Sequence, residues 1–154
     1  MECKKLKGFT LIEIIVVMGV LTLLSMILMP YTIKEVKTSN VKSLAGDITS
    51  LMFSYQQEAY SGLAGKSYGF AFDSTGYYLF TGNTFATAVS KDRTDLPPSI
   101  SVNLINFAGG TNEVVFSPGS LKPSVFGNIR LTDDGSTYEI NINAEGFIEY
   151  YKVS

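Results

Sequence analysis

The sequence contains no histidine and no tryptophan, and its one cysteine is Cys3. Downstream of residue 3 the chain lacks the side chain that titrates near neutrality, the thiol nucleophile and the usual zinc ligands, which removes most enzyme mechanisms. With one cysteine no internal disulfide forms, so stability rests on packing and hydrogen bonds. Charge is scarce as well: 12 Lys and Arg against 14 Asp and Glu leave a net charge of −2, and charged residues make up 17% of the 154. With a pI near 5.1 and no basic run beyond residue 8, broad electrostatic capture of nucleic acid is disfavoured.

The hydrophobic share, 45%, is near the globular norm, yet mean hydropathy reaches +0.19, so some segment is strongly apolar. The charges locate it. Glu2, Lys4, Lys5 and Lys7 precede residue 9, Glu13 stands alone up to Met29, and the rest follow Pro30. Between Phe9 and Met29 only Thr10, Glu13, Gly19, Thr22 and Ser25 are not hydrophobic. As a helix this run covers roughly 30 Å, the hydrocarbon thickness of a bilayer, and predicts a single transmembrane span. The basic stretch before it predicts a cytoplasmic N-terminus with the remainder on the far side. A secretory signal peptide has a shorter apolar region and a small-residue cleavage site, whereas this run is longer and ends Met29-Pro30-Tyr31.

Glu13 is the anomaly, because a carboxylate at full membrane depth costs about 2.5–3.5 kcal/mol. Either it reaches headgroup water at the interface or it meets a cation. No Lys or Arg lies between Phe9 and Lys34, so the cation comes from another chain or from a newly created α-amine.

The run Lys7-Gly8-Phe9-Thr10-Leu11-Ile12-Glu13 and the apolar stretch after it resemble the class III signal of type IV pilins and type II secretion pseudopilins. The resemblance implies that a membrane-embedded prepilin peptidase cuts between Gly8 and Phe9 and methylates the new amine of Phe9. It implies that Glu13 pairs with the N-terminal amine of an adjacent subunit and sets register, and that Pro30 kinks the helix. The other implied partners are pilin or pseudopilin subunits and an inner-membrane assembly platform with its ATPase. No cofactor and no catalytic or metal site is implied. Gly19, Thr22 and Ser25, as small residues, would let helices approach closely. Cleavage takes away three lysines and one glutamate, leaving 9 basic and 13 acidic residues, a charge of −4. It also removes Cys3, a departure from the many pilins that close a C-terminal loop with a disulfide.

Beyond Pro30 the helix continues. Val41, Leu44, Ile48, Leu51, Met52, Tyr55 and Ala59 recur at helical spacing, with Lys42, Asp47, Thr49, Gln56 and Glu58 between them, and Ser61-Gly62 marks the end. From Lys66 the period changes to two. Tyr68–Phe72 and Tyr77–Thr81 read as a hairpin about the turn 73–76, and further strands are predicted at 100–107, 113–116, 125–132, 137–143 and 147–153. The stretch 82–98 is long for a plain connection and reads as either an extra edge strand or a mobile loop. The expected fold is α+β: one long helix packed on about seven antiparallel strands. The expected segments are a leader 1–8, a transmembrane and assembly half-helix 9–30, an amphipathic half-helix 31–61 and a β-rich head 62–154.

Val114-Val115-Phe116-Ser117-Pro118-Gly119, together with Thr137–Asn143 and Gly146-Phe147-Ile148, is similar to the C-terminal half of the minor pseudopilins GspH and FimT, which implies a low-abundance subunit near a fibre tip. The match at Phe116–Gly119 is a near one. Other motifs are weaker. Ser39-Asn40-Val41-Lys42 has the Ser-x-x-Lys spacing of acyl-serine hydrolases without their companion motifs. Asp133, Asp134 and Glu139 could hold calcium but sit about an ordinary hairpin turn. Lys122, Arg130 and Lys152 form a sparse basic set, the one basis for a DNA-capturing or adhesive alternative. The aromatics from Phe70 to Phe85 read as sheet core. A further alternative is a membrane-anchored domain that never polymerises.

Overall fold

The computed structural model describes residues 10–62 and 65–153, the side chains of 25–39 excepted. The chain divides into two compact units, Met1–Val36 and Lys37–Ser154. The fold is α+β, with one long helix, α1 (Leu11–Ser61), a 3-10 turn at Ala108–Gly110, and eight strands.

The strands are β1 (Tyr68–Phe72), β2 (Gly76–Thr81), β3 (Ser90–Asp95), β4 (Ser101–Phe107), β5 (Glu113–Phe116), β6 (Gly127–Asp133), β7 (Ser136–Ile142) and β8 (Ile148–Lys152). They form two four-stranded sheets, β3-β2-β1-β5 and β4-β6-β7-β8, in which every pairing is antiparallel. The expectation of about seven strands is therefore corrected to eight in two sheets. The additional strand, β3, lies within the 82–98 stretch; all six of its residues are exposed, so it carries no alternation for a pattern to detect.

The helical spacing places the core as expected. Val41, Ile48, Met52 and Ala59 are buried, and Leu44, Leu51 and Tyr55 pack against the same cluster as Phe70, Phe72, Phe116, Ile129, Leu131 and Ile140 from both sheets. Gln56 departs from the pattern: it falls among the polar spacers in sequence, yet it is buried. β1 is buried at all five positions because its sheet is covered twice. α1 and the second sheet cover one face, while Tyr78, Phe85 and Ala88 cover Ala71, Phe80 and Val115 on the other. The helix ends where expected, at Gly62, which takes φ +65° and donates its N–H to Ala59 O.

The predicted membrane span, 9–29, lies partly outside the described residues. Among the described residues no helix is long and apolar enough to cross a membrane.

Candidate functional site

The first turn of α1 is built by Thr10 and Glu13. Thr10 stands just before the helix, and its carbonyl accepts the N–H groups of Glu13 at 3.1 Å and Ile14 at 3.3 Å. Its own N–H donates to Glu13 Oε2 at 3.5 Å. This is the backward half of a capping box, Thr-x-x-Glu, and it sets the carboxylate at the positive end of the helix dipole.

From this turn onward the helix presents apolar side chains on every side. The eleven Leu, Ile, Val and Met side chains between Leu11 and Leu24 are each 50–78% exposed. A helix apolar all round is one that is buried in use, in a large core or in a membrane. Gly19 lies in the middle of this surface, and no atom comes within 4 Å of a Cβ built on it, so no internal contact calls for its small size. The Thr22 hydroxyl donates to Met18 O at 3.1 Å and Gly19 O at 2.9 Å, which satisfies it within the helix and lets it sit in an apolar setting. The predicted cleavage pair Gly8 and Phe9 lies outside the described residues, as do the side chains of Ser25 and Pro30 and that of Ser39 in the Ser-x-x-Lys pattern.

In the second unit the charged residues satisfy one another. Arg130 donates to Glu139 Oε2 through Nε at 3.1 Å and through Nη2 at 2.7 Å, and the Tyr151 hydroxyl donates to Glu139 Oε1 at 2.7 Å. Burial pushes the Glu139 carboxyl up, but hydrogen bonds from Tyr151, Arg130 and Asn128 and the Arg130 charge outweigh it and hold the group below the ordinary glutamate value. Lys122 pairs with Glu145 at 2.8 Å. Two of the three cations in the sparse basic set are thus already ion-paired. For the calcium reading, Asp133 Oδ1 accepts the Asp134 N–H and Glu139 is committed to Arg130. Among the described residues no group of three or more His, Cys, Asp or Glu could hold a metal ion.

Sequence reasoning missed two clusters. Gln56 Nε2 donates to Leu121 O and Gly146 O, each at 2.7 Å; no local pattern marks a lone glutamine on a helix as a tie between loops 65 and 90 residues away. Arg93 of β3 bonds Asp95, Asp73 and Thr75 and also the Tyr78 hydroxyl. The alternation of charge in Lys91-Asp92-Arg93 was the available signal.

Residues 3–29 match the family model described as the prokaryotic N-terminal methylation motif. Over this segment the chain carries the class III signal that is typical of type IV pilin-like precursors. A signal of this type is one that prepilin peptidase processes in proteins that assemble with other pilins. Neither a curated protein nor a solved structure matches the chain.

Proposed function

We propose that the protein is a structural subunit, a minor pilin or pseudopilin, of a type IV pilus or type II secretion pseudopilus. In this reading it enters the cytoplasmic membrane through 9–29, with its N-terminus inside and its head outside. It is cut between Gly8 and Phe9, methylated at Phe9, and drawn into a fibre by the assembly platform and its ATPase. The observation that carries the reading is the methylation motif over residues 3–29. The uncovered apolar helix from Leu11 to Leu24 and the absence of any internal reason for Gly19 support it. Glu13 would set register against a neighbouring amine, Gly19, Thr22 and Ser25 would admit close helix approach, and Pro30 would kink the helix. The GspH-like and FimT-like resemblance favours a minor subunit, and the turn that carries it is built firmly: Gly119 takes φ +74° and donates its N–H to Ala59 O at 3.0 Å.

The test is the mass of the N-terminal peptide from native membranes and sheared fibres. The expected peptide starts at Phe9 and carries one added methyl group. A chain still beginning at Met1 would overturn the reading and leave a membrane-anchored domain. The DNA-capturing alternative is disfavoured by the ion pairs of Lys122 and Arg130.

A further inference from the structure

Each of the two sheets has two edge strands, and three of the four are occupied or guarded. β5 is bridged to Pro123 at Phe116, and Ser124 donates its N–H to Val115 O at 2.8 Å. β4 carries a bulge between Val102 and Leu104, and its Val102 N–H goes to Ser74 O at 3.1 Å. β3 sets Lys91, Asp92, Arg93 and Asp95 along its length, a charge pattern that keeps an edge from pairing. β8 differs from all three. The Asn143 N–H donates to Phe147 O and the Val153 N–H to Thr137 O, so by antiparallel alternation Phe147, Glu149, Tyr151 and Val153 turn their backbone groups to β7. Ile148, Tyr150 and Lys152 turn theirs away, to a side on which no strand pairs with β8 among the described residues.

That free edge runs beside α1. Gln56 donates to Gly146 O at 2.7 Å, and a Cβ built on Gly46 would lie 3.3 Å from the Tyr150 hydroxyl. From Gln56 back to Gly46 is roughly 15 Å of helix, and from Gly146 on to Tyr150 is roughly 13 Å of strand, so helix and strand lie side by side and antiparallel. Glycine weakens a helix interior; at Gly46 the missing Cβ is what admits the Tyr150 hydroxyl. An open groove of about 440 Å³ lies here, lined by Lys42, Ser43, Gly46, Asp47, Ser50 and Tyr150.

The charges of this groove are ordered along it. Lys152 shares a strand face with Tyr150 and lies one step further toward Lys42, which precedes Gly46 by about one helical turn. Lys42 and Lys152 therefore make a cationic end, and Asp47, next to Gly46, an anionic one. Among the described residues none of the three forms an ion pair. Lys42 and Asp47 stand roughly 7.5 Å apart along the helix axis, close to the roughly 6.6 Å between alternate residues of a strand, which share a face.

Free N–H and C=O groups at strand spacing are satisfied by another extended backbone, and the groove beside them selects a carboxylate and a cation two residues apart on one face. A strand antiparallel to β8 meets the Lys42 and Lys152 end first, so its order is acidic-x-basic. Among the strands of this chain, Arg93-Thr94-Asp95 in β3 has that spacing, but in the reverse order and with the two charges bonded to each other. We infer that the β8 edge takes up, as an added antiparallel strand, an extended acidic-x-basic segment of a different protein. Nothing in this contact depends on polymerisation, so it stands apart from the fibre-subunit reading.

The test is titration of the full-length chain in detergent with the synthetic peptide Thr-Ser-Thr-Glu-Thr-Lys-Thr-Ser, read by fluorescence anisotropy and by amide hydrogen exchange. The peptide should bind and slow exchange in 148–152 while leaving 90–95 and 101–107 unchanged. The same peptide with Glu and Lys interchanged should bind about tenfold more weakly, and methylating its backbone nitrogens should abolish binding. In the Lys42→Glu, Asp47→Lys, Lys152→Glu triple variant, whose three sites are exposed, the preference between the two peptides should invert. No binding at about 1 mM peptide, protection at another edge, equal affinity of the parent for both peptides, or a folded variant that keeps the parent's preference overturns the inference.

Discussion

One amide at the end of α1, Gln56 Nε2, satisfies two loop carbonyls at once. Gln56→Ala leaves both without their donor and should cost about 2–4 kcal/mol in urea unfolding of the detergent-solubilised chain. Gln56→Glu keeps the shape but sets a carboxylate against two carbonyl oxygens and should cost more; a Glu variant as stable as the parent would refute the donor role. Gly146→Ala belongs to the same joint. Its φ of +89° and the 2.0 Å approach of a Cβ to Leu121 O predict a loss of about 2–4 kcal/mol. Acid sensitivity also resides in single residues. Hydrogen bonds hold Glu139 below its ordinary 4.5, and those from Thr75 and Arg93 hold Asp73 below 3.8 against the opposing effect of its burial. Each carboxylate binds protons less readily in the folded chain, so its contribution is present above the ordinary carboxylate range and is lost as pH falls below that range through the lowered folded-state value. Arg130→Gln removes the charged partner of Glu139, whose pKa should rise; the difference in stability between pH 7 and pH 3 should shrink in that variant. An unchanged pH dependence would show that the Arg130 pairing contributes nothing to it.

Elements were legible in proportion to how one-sided their burial is. The spacing of Val41, Ile48, Met52 and Ala59 marked the packed face of α1 because a helix against a sheet system buries one stripe, and Gly62 marked its end through its left-handed backbone. The last two hairpins were legible from Asp133–Ser136 and Ala144–Gly146, whose turn chemistry is local. β1 was legible as a strand but not as a doubly covered one, since the residues that cover its second face, Tyr78, Phe85 and Ala88, lie on its hairpin partner and in the loop after it. β3 was open as a choice between strand and loop, because it is an edge strand whose residues all face solvent and show no alternation. Its place depends on pairing with β2 and on the Arg93 contacts with Asp73, Thr75 and Asp95. Arg93→Ala should therefore speed amide exchange across 90–95 while the core strand β1 keeps its protection. Equal protection of β3 in both proteins would mean that backbone pairing alone holds the strand.

For the whole molecule, the methylation motif was legible in the first 30 residues, and the head carried no comparable signal. The amino-terminal motif is a contiguous run of residues, so it is visible as a sequence pattern. The head is specified by contacts across tens of residues, such as Gln56 to Gly146, that no short motif records. Charge illustrates the difference. In sequence, Lys122, Arg130 and Lys152 look available to a polyanion, but Lys122 lies 2.8 Å from Glu145 and Arg130 lies 2.7 Å from Glu139. A polyanion would have to displace both carboxylates, in a chain whose net charge is −2. Phosphate contacts that replace existing ion pairs gain little, and each contact that forms is weakened further by salt. Duplex DNA should therefore show no retardation by the full-length protein in detergent at about 150 mM salt. Glu145→Gln frees Lys122 and should introduce weak binding only at low salt. Retardation by the parent at physiological ionic strength would show that the head offers a basic surface despite these pairs, and would bring the DNA-capturing reading forward.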